Sequence, residues 1–298
     1  MSIGMGSSLG MSDRARSRGP SASPAADVSA ADAYAADTQK PSANLRRALL
    51  LAAPIVGVIA FFLIWQFGVK LFDIQRFVLP RPSDILSSIN GDKSYYLRNA
   101  RTTLWEAFLG FSIAFVLAMI GATIMAHSRF IERASMPLVV LVQVTPIIAY
   151  APAIVIWQGF GLQSILVMTS LVCFVPFLIN GVAGMRSVDP NLIELARSVD
   201  ASRREVFVRL RLPSALANLF SAARIAVGLA LIGAVLGEFF AGSTSGLGYS
   251  IKLAQARPNL RMQLWGSIYV LACIGATATI LISTVERFAL HWHSSQRR

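Results

Sequence analysis

Charge is scarce in this sequence. Only 14% of its 298 residues are Asp, Glu, Lys or Arg, 55% are hydrophobic, and mean hydropathy is +0.59. A soluble domain carries about a quarter charged residues, so a water-soluble globule is excluded as the body of the chain. Cysteine is scarcer. Cys173 and Cys273 each stand alone in an apolar run, which excludes a disulfide framework or a thiolate metal site and leaves them as small hydrophobes in a bundle. The histidines are His127, His291 and His293, all at the ends of apolar runs, and the last two have a poor helical spacing for a metal. Without a nucleophile–base pair or a ligand set, an intramembrane enzyme lacks its machinery, and no cofactor or metal is expected. No Gly-x-x-x-x-Gly-Lys-Ser/Thr loop occurs, so the chain does not hydrolyse ATP by that route. The leading segment has Arg14, Arg16 and Arg18 but not the hydrophobic run that a secretory signal needs behind them. Rich in Ser, Ala, Pro and Asp, residues 1–44 read as a disordered cytoplasmic tail, too polar to bury a core.

What is present is a set of long apolar stretches. A helix crossing the hydrocarbon core needs about 20 such residues, and six stretches qualify: 48–67, 103–126, 136–157, 164–182, 215–240 and 264–285. Backbone in lipid must satisfy its own hydrogen bonds, so these are helices. The fold class is an all-α integral membrane protein of about six transmembrane helices, with the membrane domain over 45–290. With both termini cytoplasmic, 17 Lys and Arg fall in inner segments and 9 in outer ones, Arg224 lying inside a span. This is the expected inner bias. The outer segment 68–101 has six basic residues, but also Asp73, Asp84 and Asp92, and reads in part as an amphipathic helix on the membrane face. The net charge of +12 thus has a membrane explanation, and no separate basic domain exists to bind nucleic acid.

Segment 183–213 is the longest inner connection between spans. It reads as two short helices. Asp189 caps the first and Pro190 opens it, while Ser202 and Glu205 have capping-box spacing for the second. Pro213 is expected to break the pattern before the fifth span. Val206, Phe207 and Leu210 form an apolar stripe, to be covered by neighbouring spans, a partner protein or the bilayer surface. Glu194, Ala196, Leu210, Leu212 and Pro213 stand at the spacing of the Glu-Ala-Ala cytoplasmic loop of bacterial ABC importer permeases, and the segment resembles that loop. Leu195 replaces the usual second Ala, and Asp200 the usual turn Gly. Asp tolerates positive φ better than most residues and is able to cap the following helix, so the turn is expected to survive.

The resemblance covers about 79–288. Pro146-Ile147-Ile148-Ala149-Tyr150-Ala151-Pro152, Trp157-Gln158-Gly159-Phe160-Gly161, Ser187-Val188-Asp189-Pro190, Gly237-Glu238-Phe239 and Ser245-Gly246-Leu247-Gly248-Tyr249 are similar to the nitrate, sulfonate, taurine and bicarbonate branch. It implies a type I ABC importer permease fold in the bacterial cytoplasmic (inner) membrane. It also implies three kinds of partner: a second permease chain forming a homodimer, an ATP-binding cassette ATPase subunit that grips each coupling loop, and an extracytoplasmic solute-binding protein. Glu194 would meet the ATPase through a charged contact and Ala196 would permit close packing. The implied cargo is a small solute, an organic or inorganic anion such as sulfonate, taurine or nitrate, with a pyrimidine-type vitamin precursor as the alternative.

Stretch 136–157 holds Pro137, Pro146 and Pro152. Interrupted helices often line transport sites, so Gln143, Thr145, Pro146, Tyr150 and Pro152, with Glu238, are candidates for the path; the plainer alternative is that the prolines only shape the bundle. Intramembrane polar residues tend to face an interior, which also singles out Glu106, Asn180 and Arg224. Glu238 lies near an outer end where reaching water would explain it, and Arg224 near an inner end where it can snorkel. Gly233 and Gly237 form a small-xxx-small pair whose partner is not legible. A secondary transporter remains the rival, though it has no use for a coupling loop and no internal repeat is evident.

Overall fold

The structure is a computed structural model that describes residues 43–290 apart from Phe77, with side chains from Ala52 onward. The tail expected over 1–44 falls almost wholly outside the described residues, as do His291 and His293. The chain divides into two units, 1–61 and 62–298. Of the first, the described part is helical, the beginning of α1 (Ala43–Leu71). Its exposed Ile55, Val58, Ile59 and Phe61 suit a lipid surround.

The second unit is helical throughout. After the remainder of α1 come α2 (Pro82–Gly91), α3 (Lys93–His127), α4 (Arg129–Val144), α5 (Ile147–Gln158) and α6 (Leu162–Arg186). They are followed by α7 (Pro190–Ser198), α8 (Arg203–Val206), a π turn over Phe207–Arg211, α9 (Leu212–Phe240), α10 (Leu247–Ala256) and α11 (Arg261–Ala289). Among the described residues five helices are long and apolar enough to cross a membrane, and α4 with α5, bent by 101°, makes a sixth if the pair is one span. The expectation of about six spans accords with these five to six candidates, the third stretch being broken. The break has a local cause. Proline disfavours α conformation in the residue before it, and Thr145 is extended at φ −76°, ψ 123° while Pro146 caps α5. Within 68–101 a short helix does form, α2, with Ile85 buried.

The core of this unit lies where α3, α6 and α9 meet, and small side chains make the meeting close. Ala114, Ala118 and Ala122 of α3 are fully buried, as are Ala222, Ala226 and Ala234 of α9. Without a hydrophobic force between helices in lipid, close backbone approach and dispersion contacts hold a bundle together. The partner of the Gly233/Gly237 pair is now decided: it is α6 of the same chain. A Cβ on Gly233 would sit 2.6 Å from Thr169 Cα, and one on Gly237 2.8 Å from Ile165 Cα. Phe177 fills the remaining gap, edge-on to Phe111 and Phe115 at 5.0 and 5.2 Å. Cys173 is buried there and donates to Ala226 O at 3.4 Å.

Both ends of the bundle are tied by polar groups. At the end holding 183–213, Arg186 pairs with Glu132 and donates to Met125 O at 3.0 Å, and Arg211 donates to Ala126 O at 3.3 Å. These guanidinium groups take up carbonyls at the C-terminus of α3, where positive charge is favoured. Arg224 is ion-paired with Glu286 of α11, so it has a partner inside the protein instead of only snorkelling. Asn180 donates to Pro176 O one turn back, at 2.8 Å.

The glycine packing makes a direct prediction. Gly233→Ala should lose about 1–3 kcal/mol of stability by overpacking, lowering the melting temperature of the detergent-purified protein. Gly228→Ala, where nothing lies within 4 Å of the new Cβ, should be neutral or gain about 1 kcal/mol from helix propensity.

Candidate coupling segment and translocation elements

Segment 183–213 folds as two short helices joined by a tight turn. Asp189 Oδ1 accepts from Asn191 N–H at 2.9 Å with Pro190 at the first helical position, and α7 starts there. At its other end, Asp200 N–H donates to Arg197 O at 3.1 Å and Ala201 N–H to Ala196 O at 2.9 Å. This pair of bonds is the Schellman motif, whose C′ residue is left-handed and usually Gly. Asp200 occupies it with φ 54°. The substitution for Gly thus keeps the turn, as expected, though capping α8 falls to another residue. Ser202 Oγ accepts from Glu205 N–H at 3.3 Å, and Ser202 N–H donates to Glu205 Oε2 at 2.9 Å. This is the expected capping box.

The expected break at Pro213 does not occur. Helix runs on from Arg203 to Phe240 over 38 residues. The reason is the π turn, in which Leu212 N–H reaches back five residues to Phe207 O. The widened turn takes in one extra residue just where Pro213 lacks its N–H, so the ladder changes step instead of ending. As a result, α8 and the π turn form a rigid extension of α9. Its stripe faces inward: Val206, Phe207 and Leu210 are half-buried, with Phe207 packed on the α3–α6–α9 core beside His127 at 5.8 Å.

A cleft of about 610 Å³ separates α7 from α8, bordered by Leu195, Ala196, Val199, Asp200, Val206 and Leu210. Leu192 and Leu195 of α7 and Val199 at its C-cap follow one another at helical spacing and remain 47%, 61% and 70% exposed. Glu194 turns toward a second cleft, lined also by Arg129, Arg186, Arg197 and Arg211, and among the described residues it has no ion pair within 4 Å. Leu212 is half-buried and Pro213 exposed at the join with α9. The structure thus brings Glu194, Ala196, Asp200, Leu210, Leu212 and Pro213 onto one unit at one end of the bundle.

The other set of candidates divides. Gln143, Pro146 and Pro152 are exposed along the broken span, and Thr145 donates to Leu141 O at 2.9 Å. Tyr150 packs against the Ala151, Ile154 and Met168 cluster. Glu238 does not reach water. It is fully buried, accepting from Thr103 Oγ1 at 2.6 Å and from Tyr249 N–H at 2.9 Å. Beside it, Leu247 N–H donates to Thr103 Oγ1 at 2.8 Å and Gly246 N–H to Asn99 Oδ1 at 2.9 Å. The N-terminus of α10 is therefore capped by side chains of α3 and α9, a favourable place for a carboxylate. Gly246 is needed twice over: its φ is 111°, and any Cβ would meet the Glu238 carboxylate. A Cβ on Gly248 would fall 2.7 Å from Val235 O. The Gly-Glu-Phe and Ser-Gly-Leu-Gly-Tyr pieces are thus two halves of one contact. Glu106, one turn beyond Thr103 on the same buried face, lies against Glu238.

Asn99 and Thr103 were not singled out in the sequence. Their signal was a polar stripe, Asn99, Thr103 and Glu106, recurring at helical spacing on one face of a span. Arg186 and Arg211 were visible only as loop charges, because the carbonyls they cap belong to a helix some 60 to 85 residues away.

A set of apolar spans, a short helix capped from two others and a protruding two-helix segment are the architecture of an importer's permease subunit, and the family match gives the class. The chain belongs to the family described as the binding-protein-dependent transport system inner membrane component, which it matches over residues 110–293. It is 29% identical to the formylaminopyrimidine transport permease protein of Halalkalibacterium halodurans, across 85% of this chain and all of that one. It is 34% identical to the riboflavin transport system permease protein of Chloroflexus aurantiacus, across 80% and 90% of the two chains. A methionine ABC transporter structure aligns with TM-score 0.57 at 18% identity, over 66% of this chain and 97% of that one. The fold is that of type I ABC importer permeases. The protein is a multi-pass component of the inner membrane, a transport subunit and not an enzyme.

The turn at Asp200 can be tested directly. Asp200→Gly should stabilise the segment by about 1 kcal/mol by removing the left-handed penalty, and Asp200→Val should destabilise it. Limited proteolysis between α7 and α8 should slow in the first variant and quicken in the second.

Proposed function

We propose that this chain lies with both termini in the cytoplasm and that α7 and α8 are the handle by which a separate ATPase subunit drives it. A second permease copy completes the path, and an extracytoplasmic binding protein delivers the solute. The observation that carries this reading is the face of α7. Leu192, Leu195 and Val199 stay exposed on a connecting segment next to a deep cleft, with Glu194 and a group of arginines around it. An apolar patch rimmed by charge marks a protein interface. The inner bias of Lys and Arg supports a cytoplasmic position for it.

The solute class follows from charge. Inside the six apolar stretches the only charged residues are Glu106, Arg224 and Glu238, and the single cation is ion-paired with Glu286. An anion crossing that interior would meet no free positive charge. A neutral heteroaromatic solute of the vitamin or vitamin-precursor kind fits better, in keeping with the formylaminopyrimidine and riboflavin relatives. A sulfonate or taurine is the second reading, favoured by the 28% identity to the taurine transport permease of Escherichia coli.

Glu194→Arg should abolish ATP-dependent uptake in vesicles that contain all the subunits, while abundance in the membrane stays unchanged. Full uptake by that variant would refute the handle. The ligand retained by the co-purified binding protein, identified by mass spectrometry, separates the two solute classes.

A further inference from the structure

Two helices, α3 and α9, are clamped to each other at both ends. At the end of the coupling segment, Arg211 of the π turn donates to Ala126 O of α3 at 3.3 Å. At the opposite end, Thr103 of α3 donates to Glu238 of α9 at 2.6 Å. The helix that carries both clamps runs from Arg203 to Phe240, 38 residues, about 57 Å at 1.5 Å per residue. Whatever tilts or turns α8 must therefore move Glu238 as well.

The second clamp does more than join two spans. Its two side chains are also the cap of α10, through Leu247 N–H on Thr103 and Tyr249 N–H on Glu238. Lys252 Nζ adds a bond to Phe239 O at 2.5 Å, and Tyr95 of α3 bonds Ser250. With 10 residues, α10 is about 15 Å long, too short to span a bilayer. It sits between the end of α9 and the start of α11, on the side away from the coupling segment.

We propose that Thr103 and Glu238 are positioning residues for transport: they yoke α10 to the α3–α9 pair, so that α10 is the outer part that shifts when the coupling segment is displaced. This rests on the reading of α7 and α8 as the ATPase handle. Rigid-body switching of packed helices is the usual form of such transitions. A carboxyl group accepting two hydrogen bonds in an apolar interior is a rigid link. Glu238 and Thr103 thereby gain a role distinct from lining a path: they touch the moving element and not the solute.

The test uses the permease assembled with its ATPase subunit in lipid nanodiscs, where both faces are open to reagent. In a Cys273→Ala background, with Cys173 left buried, exposed Gln255 of α10 is changed by Gln255→Cys. Its labelling rate with a hydrophilic maleimide is then compared without nucleotide and with ATP plus vanadate. A coupling of ordinary size gives at least a ~5-fold change in rate. With Thr103→Val or Glu238→Gln that response should fall below about 2-fold, while ATP hydrolysis continues, and Thr103→Ser should restore it. A merely structural role would lower stability or yield and leave the response intact in the protein that assembles. A full response in Thr103→Val, which is nearly isosteric and serves if Glu238→Gln does not assemble, would overturn the proposal. So would the absence of any response in the otherwise unsubstituted complex while it hydrolyses ATP. An ATPase that never binds the unsubstituted chain would instead refute the functional reading.

Discussion

Hydrocarbon offers no partner to an unpaired polar group, and the structure is organised by that constraint. A backbone N–H or carbonyl left open in lipid costs several kcal/mol, so the chain runs as helices and irregular backbone is confined to places where side chains cover it. The N-terminus of α10 is one such place, served by Asn99, Thr103 and Glu238. The C-terminus of α3 is another, served by Arg186 and Arg211. In both, the polar side chain belongs to a different helix from the backbone it satisfies. The same bonds that close the hydrogen-bond account therefore lock helices together.

Small residues supply the other half of the bundle's cohesion. Where α6 meets α9, glycines bring the backbones together, and alanines on α3 and α9 continue the seam. Such a seam transmits motion because it has little slack: interiors at crystal-like density shift as units. Joined to the π turn that carries α8 straight into α9, it makes one continuous packed unit from segment 183–213 to the far end of the bundle. The broken span α4–α5 stands apart from that unit, bent at Pro146, with its polar and proline residues largely exposed.

Much of this was legible in the linear sequence. Six apolar stretches mark the spans because length and hydropathy act locally. The caps at Asp189 and Ser202 were readable because a cap and the N–H it serves lie two or three residues apart. The spacing from Glu194 to Pro213 was readable for the same reason, and so was the strain at Asp200, since a turn's φ requirement is written in its own residue. The errors came where one local rule met another. Pro213 was expected to stop a helix, and the π turn just before it absorbed the defect. Stretch 136–157 counts as one span by composition, but only one of its three prolines breaks it, and nothing in the sequence ranks them.

The sequence by itself determined the class of protein, the number of spans and the make-up of the coupling segment, because each depends on residues within a turn or two of one another or on composition alone. Tertiary structure decided the rest. It chose α6 as the partner of Gly233 and Gly237, set Glu238 at the cap of α10, and gave Arg186, Arg211 and Arg224 their acceptors. Those facts depend on contacts between helices 50 to 150 residues apart, and a periodic apolar pattern says which face is buried without saying against what.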